Sequence, residues 1–217
     1  MAPEAARDAV VVVHGLWMGP WVMGWLDRHL AAAGFRVFRF GYPSMQSLAA
    51  NAAALARFAA GIEAPRLHWL GHSLGGILIF RSLASADQRR DGRVVMLGSP
   101  VNGSYAAARL AQHGLGRAML GSCALEWFAA PASRWSLPLD LGIIAGTRSL
   151  GLGRLVAPGL PKPNDGVVTV DEARLAGARE FLALPVSHSG MLFSAPLARR
   201  AATFFRTGSF AAGGAAS

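Results

Sequence analysis

The chemistry of this chain gathers around Ser73, which stands in Gly71-His72-Ser73-Leu74-Gly75. A nucleophilic serine lifted out of a sheet needs a tight turn between strand and helix. The G-x-S-x-G spacing supplies it, because a residue without a side chain on either side leaves room for strained backbone. With 26 glycines in 217 residues, the pentapeptide alone could arise by chance. Context raises it: residues 66–70 read as a strand before it and 74–86 as a helix after it.

A serine hydroxyl is almost wholly protonated at neutral pH, so it needs a base. Six histidines compete. His68 lies within a strand, His72 points away from its neighbour inside the turn, and His29 and His113 fall on helical segments. His188 follows the last strand in Val186-Ser187-His188-Ser189-Gly190, at the carboxyl edge where open α/β sheets place their sites.

The carboxylate that orients such a base is expected between Ser73 and His188 in the chain, on the loop beyond the preceding strand. Asp140 precedes its strand and so falls at the wrong edge. Asp171 and Glu172 follow Thr169, and Thr169-x-x-Glu172 reads as a capping box. Asp165 remains, in Asn164-Asp165-Gly166, where an ordinary Asp-Gly turn is the alternative role. Donors for a developing oxyanion are expected at the backbone N–H of Leu74, just after the serine, and of Leu16 in His14-Gly15-Leu16-Trp17.

These residues must be held by a scaffold. Strand-like runs at 9–13, 35–40, 66–70, 93–97, 141–145 and 180–186 alternate with helical patterns. That alternation predicts an α/β fold: a mainly parallel sheet of about six strands with helices on both faces. The spacing predicts a first helix over 20–34 with Trp21, Val22, Trp25, Leu26 and Leu30 on its apolar face, and a second over 47–61 with Leu48, Leu55 and Phe58. A final helix fits 196–206, with Leu197, Ala201 and Phe204 inward. The 101–138 connection has helical patterns of its own and reads as a short cap-like insertion. Residues 1–206 are expected to form one domain, and 207–217 a flexible tail.

Composition narrows the function. The net charge of +9 comes from singly scattered arginines, adjacent only at Arg89-Arg90 and Arg199-Arg200. Without a basic stripe no nucleic-acid partner is expected, and at most a weak attraction to anionic or lipid surfaces. No apolar run reaches the roughly 18 residues of a membrane span. Cys123, the single cysteine, cannot pair within the chain and reads as a small buried residue. No leader pattern appears in residues 1–8, which together with the lack of disulfides points to the cytoplasm. No ligand cluster for a metal is expected, and the chemistry around Ser73 calls for no cofactor.

The sequence resembles the α/β-hydrolase superfamily, and within it the compact bacterial lipases and esterases. The likeness spans about residues 9–206 and rests on His14-Gly15-Leu16, Gly71-His72-Ser73-Leu74-Gly75-Gly76, residues 98–104, Asn164-Asp165-Gly166-Val167-Val168 and His188. It implies the α/β-hydrolase fold, Ser73, Asp165 and His188 as catalytic triad, and Leu16 and Leu74 as oxyanion donors. Lipases of this kind often carry His where Val101 stands, a departure that touches the lipase label and leaves the triad intact. Ser73 at the turn also differs from the dehalogenase and epoxide hydrolase branches, which place Asp there.

The function expected is cleavage of a small carboxylic ester with an apolar acyl part through an acyl-enzyme. Trp17, Met18, Trp127 and Phe128 are the substrate-binding candidates, with Trp21, Met23, Leu115, Met119, Leu120 and Leu125 nearby in sequence. Such apolar clusters also build cores, so both roles stand open for them. Thioester or amide cleavage or acyl transfer on the same residues, and non-catalytic binding of a small apolar ligand, are the alternatives.

Overall fold

A computed structural model describes residues 7–85, 91–151 and 157–211. Its centre is β1, Ala9–Val13, in which all five residues are buried. A strand covered by helices on both faces has no solvent side, so it reads as an unbroken apolar run. Around it β2 (Arg36–Phe40), β3 (Leu67–His72), β4 (Arg93–Leu97), β5 (Asp140–Gly146) and β6 (Glu180–Leu184) complete a six-stranded sheet in the order β2-β1-β3-β4-β5-β6. Every neighbouring pair is parallel. The carboxyl ends of all six strands therefore share one edge.

Side-chain alternation splits the core in two. Val11, Val13, Trp69, Met96 and Ile143 belong to one buried cluster, with α2 (Leu48–Ala60), α3 (Leu74–Ser85) and α5 (Gly114–Ala129). Val10, Val12, Leu70, Val95 and Ile144 belong to the other, with α1 (Gly24–Ala32) and the final helix, α7 (Ala195–Thr207). The expected two-sided α/β architecture is the one observed.

Three segments differ from expectation. The first helix begins as a 3-10 turn, Pro20–Met23, and becomes α-helical only at Gly24, so Trp21 faces solvent at 75% exposure instead of joining Leu26 and Leu30 in the core. Phe58 likewise sits at the rim of α2 while Leu48 and Leu55 are buried. The third difference is at the carboxyl terminus. Thr207 ends α7, and Phe210 is buried against Phe204, its N–H bonded to the Glu180 carboxylate at 2.5 Å. The unpacked tail expected from residue 207 is thus corrected for 207–211, because Phe210 supplies apolar area to bury; residues 212–217 of that segment lie outside those described.

The 101–138 connection folds as α4 (Tyr105–Leu110) and α5, with Trp135 buried beyond them. Backbone φ 70 and ψ 170 at Gly121 break α5 into two halves. A short helix, α6 (Val170–Ala173), follows Asp165 and carries the expected capping box between Thr169 and Glu172. Cys123 is buried, and burial pushes its thiol up to about 11.

Candidate active site

The β3 ladder runs to His72, two residues beyond its expected end, and α3 starts at Leu74, so Ser73 alone makes the turn between them. It does so with φ 54, a left-handed conformation that few residues with a Cβ adopt. The flanking glycines show why nothing larger fits. A Cβ on Gly71 would lie 2.4 Å from the backbone N of Gly76, and one on Gly75 would lie 2.3 Å from the Val13 carbonyl oxygen. The Ser73 N–H bonds to the Leu97 carbonyl at 2.9 Å, fastening the turn to the end of β4.

His188 and Asp165 meet on neighbouring loops of the same edge. His188 Nδ1 lies 2.8 Å from Asp165 Oδ2, and the His188 backbone N–H donates to the Asp165 carbonyl at 2.9 Å. The second carboxylate oxygen, Oδ1, accepts from the N–H groups of Val167 at 2.9 Å and Val168 at 2.7 Å. A buried charge is stable only with such partners, and Asp165 is 1% exposed. With Nδ1 donating to the carboxylate, the His188 tautomer leaves Nε2 as the free lone pair.

Sequence reasoning passed over two residues that shape this pair. Gly98, φ 54, ends β4 at a point where a Cβ would stand 3.0 Å from Asp165 Oδ2 and 3.1 Å from His188 Nδ1. Its signal was a glycine just after a buried strand, in a motif otherwise read only for its resemblance. His72 is the second: its Nε2–H donates to the His188 carbonyl at 3.1 Å, and the two rings lie 4.6 Å apart. Burial, then the His188 ring beside it, push His72 down to about 3, so it stays neutral at ordinary pH.

Ser73 and His188 open onto one cavity of about 210 Å3. Leu16, Trp17, Met18 and Leu74 line it from the β1 turn and the start of α3; Ala106, Ala107, Leu110, Leu120, Ala124 and Phe128 line it from α4 and α5. Leu74 is the first residue of α3, so its N–H has no intrahelical acceptor. Gly15 lets the Leu16 turn close on the serine: a Cβ there would lie 3.0 Å from Ser73 Cβ.

Of the substrate-binding candidates, Trp17, Met18 and Phe128 reach this cavity and Trp127 does not. Trp127 is a core residue, 2% exposed, whose indole N–H is taken by the Pro100 carbonyl at 3.2 Å. Neighbouring helix positions point about 100° apart, so of two adjacent aromatics one goes inward. Met23 is likewise core, Leu120 lines the cavity, and Leu115 and Met119 are exposed.

The other candidates separate by edge. Asp140 stands at the amino end of β5, paired with Arg93 at 3.2 Å and Arg179 at 3.3 Å. His68 is buried within β3, where burial outweighs the pull of Asp8 at 3.6 Å and lowers it to about 4. Glu172 is spent on its capping box and on the Tyr105 N–H. Among the described residues no group of three or more His, Cys, Asp or Glu side chains is placed to hold a metal, and no helix is long and apolar enough to cross a membrane.

Comparison with known proteins agrees with this architecture. The sequence model of the alpha/beta hydrolase family matches residues 10–212. Among solved structures, the chain resembles a Bacillus licheniformis lipase in its mature form, with TM-score 0.69 and 22% identity over 86% of this chain and 87% of that one. It also resembles a metagenomic carboxyl esterase, with TM-score 0.65 and 19% identity, covering 85% of this chain and 65% of the esterase. A thioesterase of prodiginine biosynthesis from Streptomyces coelicolor gives TM-score 0.60 and 15% identity, over 93% and 87%. No curated protein matched the sequence.

Proposed function

This chain belongs to the alpha/beta hydrolase family, and on that premise we propose that it cleaves carboxylic esters through an acyl-enzyme on Ser73, with His188 as base and Asp165 as its orienting partner. The observation that carries this reading is the buried 2.8 Å contact between His188 and Asp165, opening onto the cavity that Ser73 lines at its strained turn. His188 Nε2 takes the Ser73 proton as Oγ attacks the carbonyl carbon, and Asp165 stabilises the imidazolium that forms. The carbonyl oxygen becomes an oxyanion facing the N–H groups of Leu16 and Leu74. His188 then gives its proton to the leaving alkoxide, and water repeats the sequence on the acyl-enzyme.

The substrate class follows from the lining. A small, largely apolar cavity with alanines on α4 and α5 favours a short or medium acyl chain over a charged one. The lipase and carboxyl esterase among the structural neighbours are in keeping with this reading.

Labelling with a fluorophosphonate, alongside hydrolysis of nitrophenyl esters of increasing acyl length, tests it. The parent should label and turn over the shorter esters, and Ser73→Ala should do neither. Persistent labelling of Ser73→Ala would remove Ser73 as the nucleophile. Hydrolysis of thioesters only, with nitrophenyl esters untouched, would move the reading to a different acyl substrate on the same residues.

A further inference from the structure

Two points of positive-φ backbone lie at the two ends of one long-range hydrogen bond. Trp17, directly after Leu16, has φ 58, a conformation that a bulky residue keeps only where its surroundings hold it. In the insertion, Gly121 has φ 70 and breaks α5. A continuous helix would give each carbonyl an amide four residues on, and the break deprives the carbonyls just before it of that partner. Met119 is one of them, and the Trp17 indole N–H donates to its carbonyl at 2.7 Å across 102 residues of sequence. Trp17 is 55% exposed, so burial alone does not orient it. Its polar end does.

We propose that Trp17 is a positioning residue: its bond to the broken helix holds the β1 turn so that the Leu16 N–H faces the reacting carbonyl oxygen. This rests on the reading of Ser73 as nucleophile and Leu16 as oxyanion donor. Without the bond, the strained backbone at Trp17 relaxes; the peptide between residues 16 and 17 rotates, and the turn that carries the Leu16 N–H moves with it. The insertion thereby becomes part of the catalytic apparatus, since one end of the tether stands on α5 beside Leu120 and Ala124, which line the same cavity.

Trp17 also lines the cavity, so a simple acyl contact is the rival role. Kinetics separates the two, because lost acyl contact raises KM for long chains whereas a misplaced oxyanion donor lowers kcat for all of them. Trp17→Phe keeps a ring and removes the N–H. It should lower kcat about ten- to hundredfold on acetate and longer nitrophenyl esters alike, with KM within about twofold. Gly121→Ala perturbs the other end, since its Cβ would lie 2.9 Å from Met45 Sδ and 3.0 Å from Met45 Cα. It should lower kcat too, and the double variant should fall no further than the weaker single variant. Hydrogen–deuterium exchange should rise in both 14–20 and 114–121 in Trp17→Phe.

An unchanged kcat, a loss confined to KM on long chains, or single effects that multiply would overturn the tether. So would exchange that stays unaltered in both segments, whatever the activity. An inactive parent chain fails the ester hydrolase reading itself, whereas an active parent with an indifferent Trp17→Phe fails the tether alone.

Discussion

Both carboxylate oxygens of Asp165 are engaged: Oδ2 with His188, and Oδ1 with the Val167 and Val168 amides. The loop thus closes on Oδ1 as an acceptor for two of its own amides. Asp165→Asn keeps the shape but offers an amide that can donate, which lets His188 settle with its proton on Nε2, the position the proposed base must leave free. The expected outcome is a fall in kcat of about 10³- to 10⁴-fold with a smaller change in KM, measured on a nitrophenyl ester. A loss under about tenfold would show that His188 needs no such partner. The contrast with Asp140 shows why position decides. Asp140 stands at the amino end of β5 with its two arginine partners, on the far edge of the sheet from Ser73.

At the scale of elements, short helices and turns set where these side chains stand. Asp165 leads into α6, whose start is closed reciprocally: the Thr169 hydroxyl accepts from the Glu172 N–H at 3.1 Å, and the Glu172 carboxylate accepts from the Thr169 N–H at 2.7 Å. Glu172 also holds the insertion, through the Tyr105 N–H and, by its backbone carbonyl, the Asn102 N–H. Thr169→Ala should therefore cost about 1 kcal/mol of stability in urea unfolding. Ser194→Ala, which removes the side-chain cap of α7, should cost a similar amount without touching the cavity. Equal midpoints for Ser194→Ala and the parent would contradict the cap. Much of this was legible in the sequence because it is local: a cap and its partner lie three residues apart, and a strand buried on both faces is an apolar run. The start of α1 was not, since a proline at 20 suits a 3-10 turn as well as a helix. Nor was the break in α5, where the helical pattern runs on through Gly121.

Across the whole molecule, buried histidines couple the fold to pH. His68 is lowered to about 4 and His72 to about 3 from an ordinary 6.5, with burial the largest cause in both. A histidine whose folded pKa is depressed binds its proton more readily in the unfolded chain. Stability is then fully present above pH 6.5 and is lost as pH falls from about 6.5 toward about 4 for His68 and about 3 for His72. Urea midpoints taken between pH 7 and 4 should fall steadily in the parent, and the slope should be shallower in His68→Gln, which cannot take a proton there. An unaltered slope would mean that His68 is protonated as easily inside the fold as outside it.

By itself, the sequence determined the alternating α/β plan, the turn at Ser73, the edge on which it opens and the capping box at Thr169. Each follows from residue type and from spacing of a few positions, the range over which backbone sterics and side-chain period act. The tertiary structure decided what depends on distant segments meeting. It put His188 2.8 Å from Asp165, made room for them at Gly98, and turned Trp127 into the core while Phe128 faces the cavity. It also joined Trp17 to Met119. Those outcomes rest on the close packing of side chains far apart in the chain, which no local pattern of residues encodes.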